Sequence, residues 1–206
     1  YTVGEVKMDF KLSEEDTKFR DELRQFIAKE WNPKDFDAHS MNVWSYDFDN
    51  AAARDHAKIF QKKLIDKGYW TMAWPEEYGG ENAPISKQLV YSEEMAYHDA
   101  PDGEPQRNVA GAIMIHGTDW VKTNFIPGMA DNSIDWAQGF SEPNAGTDLA
   151  NLQTRAVEDG DDFVVTGQKI WSSGSHFSNW YHVMVRTDPN APKHRGITYL
   201  IMQLKD

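Results

Sequence analysis

The sequence predicts an α+β fold: an all-helical amino-terminal domain over residues 1–132, then a β-barrel-like sheet domain over residues 133–206. Three observations predict it. Apolar residues recur at helical spacing from Phe19 to about Ile126; short β-rich runs separated by turn residues replace them from Ile134; and the change falls at the polar junction Asp131-Asn132-Ser133.

The elements follow in order. Ser13 before Glu14, Glu15 and Asp16 is a helix start, after which Phe19, Leu23, Phe26 and Ile27 mark the inward face. A second helix is expected from Ala51 to Lys67, with Ile59, Phe60, Leu64 and Ile65 inward and Gly68 as its stop. The aromatic-rich stretch Tyr69 to Gly80 reads as a loop. Further helices are expected over Ser86–Tyr97 and Val109–His116, and Thr118 caps a short one that ends before Pro127. Strands are expected over Leu152–Glu158, Phe163–Trp171, Trp180–Thr187 and Ile197–Leu204, with a hairpin at Asp159-Gly160-Asp161. The run Ile197 to Met202 is apolar on both faces, so a further domain or another subunit is expected to pack there.

Composition narrows the function. No apolar stretch approaches the length of a membrane span, which predicts no membrane association. The absence of cysteine excludes disulfides, thiolate catalysis and cysteine metal sites, and fits a reducing cytoplasm. With 21 basic against 33 acidic residues the net charge is −12, which argues against nucleic acid as a partner. No GxGxxG after a strand, GxxxxGK[ST], HExxH or GxSxG occurs, so nicotinamide, P-loop, zincin and hydrolase readings have no motif behind them. His176 and His182 stand six apart without ligand-like pairing, and no metal site is expected.

Two segments could carry chemistry. Gln138-Gly139-Phe140-Ser141-Glu142-Pro143-Asn144-Ala145-Gly146-Thr147-Asp148 leaves a strand, turns at Pro143 and passes Asn144 and Gly146, residue types that accept positive φ. Such a turn aims backbone N–H groups and the Thr147 hydroxyl at a phosphate; Asp148, which a phosphate would repel, is expected to cap the next turn. The second segment, Gly167-Gln168-Lys169-Ile170-Trp171-Ser172-Ser173-Gly174, sets an indole and two hydroxyls at the end of a hairpin strand. A planar heteroaromatic ligand could stack there.

Together the segments resemble the acyl-CoA dehydrogenase family. Phe140 to Asp148 is similar to that family's central-domain signature, Asp162 to Trp171 to its second signature, and Trp74-Pro75-Glu76-Glu77-Tyr78-Gly79-Gly80 to its amino-terminal loop, all in the family's order and spacing. The resemblance implies FAD-dependent α,β-dehydrogenation of an acyl-CoA to a trans-2-enoyl-CoA, with electrons passed to an electron-transferring flavoprotein. It implies that Gln138, Phe140 and Ser141 line the flavin, that Gly146 and Thr147 lie at the cofactor pyrophosphate or, for Thr147, at the coenzyme A arm, and that Trp171, Ser172 and Ser173 lie against the ring. Ser141 and Ser173 stand where the family usually has Thr, and Asn144 and Thr147 where it has Gly and Ser. The family's catalytic glutamate belongs to a carboxy-terminal helical bundle absent from this chain, so no residue here inherits that role, and Glu142 is expected to support its loop. The chain is thus expected to be part of a longer enzyme, a homotetramer or a heteromer built as a dimer of dimers. Trp70, Met72, Trp74 and Met95 could shape the acyl pocket, although core packing is the commoner task of such side chains. Alternatives are an oxidase or flavin monooxygenase on the same scaffold, a non-catalytic flavin-wall subunit of a heteromeric dehydrogenase, or a plain α+β interaction module.

Overall fold

A computed structural model describes residues 11–32, 51–102 and 104–204. They fall into two compact units that divide between residues 103 and 104.

The first unit is helical: α1 (Glu14–Glu30), α2 (Ala51–Asp66) and α3 (Ile85–Tyr97). The Ser13 side chain accepts the Asp16 N–H at 3.0 Å, and the Asp16 carboxylate in turn accepts from the hydroxyls of Ser13 and Ser86, tying the start of α1 to that of α3. Farther along, Arg24 of α1 grips Glu94 of α3 through two 2.7 Å hydrogen bonds. Phe19, Leu23, Ile27, Phe60, Leu64, Val90 and Met95 fill the core between these helices. α2 ends as its glycine requires: Gly68, at φ +75°, donates to the Ile65 carbonyl and Tyr69 to that of Leu64, which closes the last turn with two backbone hydrogen bonds. Ile59 is not inward but 56% exposed, since the buried stripe of α2 runs through Ala53, Ala57, Phe60 and Leu64 and leaves position 59 on the opposite side. In the aromatic loop Met72 and Trp74 are buried, as is Met95 on α3; Met72 and Met95 belong to the core itself.

The second unit opens with α4 (Glu104–His116) and α5 (Asp119–Ala130). α4 starts at Glu104 rather than Val109, because Pro105 falls in its first turn, where a missing backbone N–H has no helical partner to lose. α5, capped by Thr118, runs through Pro127 instead of stopping before it. Burial of Phe125, Ile126 and Met129 around the proline offsets the lost hydrogen bond, and the Asp131 N–H still closes on the Pro127 carbonyl at 3.0 Å.

Five strands form one mixed sheet: β1 (Trp136–Gly139), β2 (Arg155–Asp159), β3 (Asp162–Thr166), β4 (Trp180–Arg186) and β5 (Ile197–Gln203). β4 is central. Antiparallel β5 pairs along its whole length on one edge; on the other, parallel β1 pairs from Trp180 to Val183 and β2 rejoins at Arg186. The chain between β1 and β2, residues 140–154, therefore leaves the sheet in the gap along that edge. Phe125 of α5 stands edge-on to Trp180 with ring centroids 4.7 Å apart and packs on Trp136 at 5.5 Å, so α5 covers the beginning of β1 and β4. The β2–β3 hairpin turns through Gly160, at φ +66°, and Asp161. β3 ends at Thr166, not at Trp171: a Cβ on Gly167 would lie 2.3 Å from the Thr154 hydroxyl, and beyond that close contact the chain bends away from β2 toward the 138–148 segment.

Candidate functional site

The two candidate segments meet. The Ile170 N–H donates to the Ser141 carbonyl at 2.9 Å, and the Lys169 ammonium reaches across to the Phe140 carbonyl at 3.1 Å and the Glu142 carboxylate at 2.8 Å. Glu142 is 6% exposed and also accepts the backbone N–H groups of Gln153 at 2.6 Å and Thr154 at 2.9 Å. One carboxylate thus ties together the turn, the return toward β2 and the tryptophan-bearing loop. Burial by itself would raise the Glu142 pKa, but the lysine and the N–H donors outweigh it and hold the group at about 2. Glu142 supports its loop, as its place in the sequence predicts.

The turn is short and tight. Glu142 and Ala145 exchange both backbone hydrogen bonds, 2.9 and 3.0 Å, around Pro143 and Asn144. Neither Asn144 nor Gly146 takes the positive φ that their residue types allow; negative φ at Asn144 is the pattern of a type I rather than a type II turn. Gly146 and Thr147 are exposed beyond it. Asp148 caps the following 3-10 turn through its backbone carbonyl, which accepts the Asn151 N–H; its carboxylate does not cap but pairs with Lys193, so its charge is neutralised next to Thr147. Arg186 holds the far side of this loop through the carbonyls of Ala150, Leu152 and Lys193.

Trp171 does not end a strand. It sits in a loop at φ +61° and is 85% exposed. A left-handed backbone at a bulky residue costs on the order of 1–3 kcal/mol, and an indole so open to water returns little by burial, so neighbouring contacts impose the geometry. Ser172 turns its hydroxyl to the Tyr181 phenol at 2.7 Å, whereas Ser173 is exposed. Behind Phe140 the sheet offers a partly buried aromatic layer with His182 at its buried centre. The Phe140 ring stands edge-on to His182 at 5.4 Å and Tyr199 at 6.3 Å, and the His182 Nδ1 lies 2.8 Å from the Tyr199 hydroxyl. Burial lowers His182 to about 4, so its imidazole is neutral near pH 7, and raises Tyr199 to about 12. Gln138 is exposed on β1, in register with His182.

The structure therefore gathers Phe140, Ser141, Trp171, Ser172 and Ser173 around one backbone junction. No hydrogen bond joins Gly146 or Thr147 to residues 171–173 among the described residues. Sequence reasoning misses Lys169, Tyr181, His182 and Tyr199. Only Tyr181 leaves a trace, the glycine at 139: a Cβ there would lie 2.3 Å from the Tyr181 ring, the close approach that a lone glycine in a strand signals. No cluster able to hold a metal ion occurs among the described residues, and no described helix is long and apolar enough to cross a membrane.

Comparison with known proteins matches the same segments. The family model "Acyl-CoA dehydrogenase, N-terminal domain" matches residues 13–133, and "Acyl-CoA dehydrogenase, middle domain" matches residues 137–206. Acyl-CoA dehydrogenase FadE26 of Mycobacterium tuberculosis is 40% identical over 187 residues, 89% of this chain and 46% of that protein. Acyl-CoA dehydrogenase IpdE1 of the same organism is 36% identical over 157 residues, 74% of this chain and 40% of that protein. Among solved structures, the ChsE4-ChsE5 complex from Mycobacterium tuberculosis matches with a TM-score of 0.80 and 35% identity, over 95% of this chain and 48% of that chain. The protein described as Tcur3481-Tcur3483 steroid ACAD matches with the same score and identity, over 95% of this chain and 49% of that chain. The chain spans about half the length of the curated relatives it matches.

Proposed function

This chain belongs to the acyl-CoA dehydrogenase family, and on that premise we propose that it forms one wall of an FAD site where an acyl-CoA is dehydrogenated to a trans-2-enoyl-CoA. Electrons then pass to an electron-transferring flavoprotein. The observation that carries the reading is the junction of the two segments through Glu142, Lys169 and the Ser141–Ile170 hydrogen bond, with an open indole beside it. The donor set fits the group. Trp171 offers an uncovered aromatic face, Ser141 and Ser173 offer hydroxyls for a polar ring edge, and Thr147 offers one for a diphosphate or the coenzyme A arm, beside an Asp148 already matched by Lys193.

When bound, FAD supplies the acceptor for the hydride that leaves the β-carbon. This chain's residues would stack the ring with Trp171, orient it through Gln138, Phe140, Ser141 and Ser173, and seat its tail on Gly146 and Thr147, with Ser172 in the loop that carries Trp171. They do not remove the α-proton. Glu142, held at about 2 by three donors, is too weak a base near neutral pH, and Glu94 is locked in its bidentate pair with Arg24. We propose that the base comes from outside residues 1–206, and that the domain junction of the whole enzyme lies at residues 132/133.

Titration of the full-length holoprotein with acyl-CoAs under anaerobic conditions tests the reading. Straight-chain, branched and steroid-like acyl groups belong in the panel, the last because a similar structure is described as a steroid ACAD. Loss of the oxidised flavin absorbance on adding an acyl-CoA is the expected result. Loss only with a reduced nicotinamide or a separate reductase would make the protein a monooxygenase, and a full-length protein that holds no yellow cofactor, alone or co-expressed with a partner, would end the proposal.

A second reading concerns assembly. A chain of the ChsE4-ChsE5 complex shares 35% identity with this one, which supports a heteromeric enzyme in which this protein contributes the flavin wall and another chain the base. The full-length protein expressed alone would then bind little flavin and gain it on co-expression with its partner. A homotetramer that carries flavin by itself would rule the second reading out.

A further inference from the structure

We propose that Tyr181 is a positioning residue for Trp171, acting through Ser172, and that the Ser172 hydroxyl serves this link rather than the cofactor. The inference rests on the reading of Trp171 as the residue that stacks the flavin.

Trp171 occupies a left-handed backbone conformation while 85% exposed, so its own burial cannot hold it there. Two contacts flank it. On the amino side the Ile170 N–H is fixed to the Ser141 carbonyl at 2.9 Å, and on the carboxy side the Ser172 hydroxyl is fixed to the Tyr181 phenol at 2.7 Å. The second anchor is the more rigid, because of where it comes from. Tyr181 stands on the central strand, paired with Ala137 of β1 on one edge and Met202 of β5 on the other. Its ring packs with the buried cluster of Ala156, Val183 and Val185. A single added carbon at Gly139 would lie 2.3 Å from its Cζ and hydroxyl, so the end of the ring has no room to swing toward β1. Gly174, at φ +76°, then bends the chain back, and the Ser175 N–H closes on the Ser172 carbonyl at 3.2 Å. The phenol is thus a fixed point of the sheet carried into an exposed loop, and Ser172 is the only residue between it and the indole. The Ser172 hydroxyl is engaged by the phenol at 2.7 Å whichever oxygen donates, whereas the Ser173 hydroxyl is exposed and is the one open to the ring.

The test uses the full-length protein with the variants Y181F, S172A and W171A, and two readouts. The first is the dissociation constant of FAD. Y181F and S172A are each expected to weaken binding about twofold to tenfold, the range of one net hydrogen bond. The Y181F/S172A double variant should be no weaker than either single one, and neither substitution should matter once Trp171 is alanine. The second needs no cofactor: in apoprotein labelled with 5-fluorotryptophan, the fluorine resonance lost in W171A should shift or broaden in Y181F and S172A, while the other tryptophan resonances hold. Additive losses of affinity, or a Trp171 resonance that neither variant moves, would overturn the assignment. If the wild-type protein takes no FAD, the flavin reading fails by itself, and the fluorine spectrum still decides whether Tyr181 holds Trp171.

Discussion

At Glu142 two opposing effects meet, and their balance shapes the site. Removing a carboxylate from water favours its neutral form, yet Lys169 and two backbone N–H groups keep it ionised. The pair is an expensive arrangement unless complete. Lys169→Ala leaves a buried charge without its partner and is expected to lower stability by about 3 kcal/mol, read as a shift in the urea midpoint. Glu142→Gln should cost a similar amount, since it leaves the buried Lys169 ammonium without its counter-charge and sets an amide NH2 against one of two N–H donors that bond different carboxylate oxygens. The sign with pH follows from the lowered pKa: the stabilisation is complete above about 4.5, the ordinary value, and is lost as pH falls toward about 2. His182 adds a second acid sensitivity. Its neutral form is buried, so the unfolded chain takes up a proton first, and stability should begin to decline as pH drops below 6.5 and continue down to about 4. Denaturation curves between pH 7 and pH 2 should show both phases in the wild type and lose the lower one in Glu142→Gln. The role of Glu142 was readable from its place in a turn motif. Lys169 was not, because 27 residues separate the partners and no periodicity links a loop lysine to a distant carboxylate.

The helices were legible because their signals are local. Ser13, Thr118 and Gly68 each act within four residues of themselves, and the structure uses all three. Gly68→Ala should cost about 1 kcal/mol, since its φ of +75° is the obstacle while an added Cβ would make only an ordinary contact, 3.6 Å from the Glu81 carboxylate. Where a tertiary contact decides, the local reading fails. Pro127 argues for a helix end, but the packing of Phe125 and Met129 carries α5 past it. The apolar run after Phe163 argues for a strand to Trp171, but the contact between Gly167 and Thr154 and the pull of Lys169 toward Glu142 end β3 five residues sooner. Gly139→Ala is the corresponding test for the sheet. Its methyl must displace the Tyr181 ring, at an expected cost of about 2 kcal/mol and with disorder spreading to the 171–173 loop in hydrogen exchange.

Across the whole molecule the sequence boundaries and the compact units differ. The family models meet between residues 133 and 137, whereas α4 and α5 cluster with the sheet. Phe125 embodies that attachment through its contacts with Trp136 and Trp180, so Phe125→Ala should cost about 3–5 kcal/mol and speed amide exchange in β1 and β4 rather than in α1 and α3. The order of elements was visible in the sequence, and so were the two segments of the candidate site. Their meeting was not, because it depends on β1 and β2 sharing one edge of β4, a pairing of strands that stand far apart in the chain. The bare backbone at Gly139 has a consequence for redesign. Strand and phenol touch there with nothing in between, so the gap between the β1 end and the Tyr181 ring cannot be narrowed by trimming or widened by a tolerated substitution. A library meant to admit a differently shaped ring should leave positions 139 and 181 untouched and draw its diversity from Trp171 and Ser173, where side chains face open space.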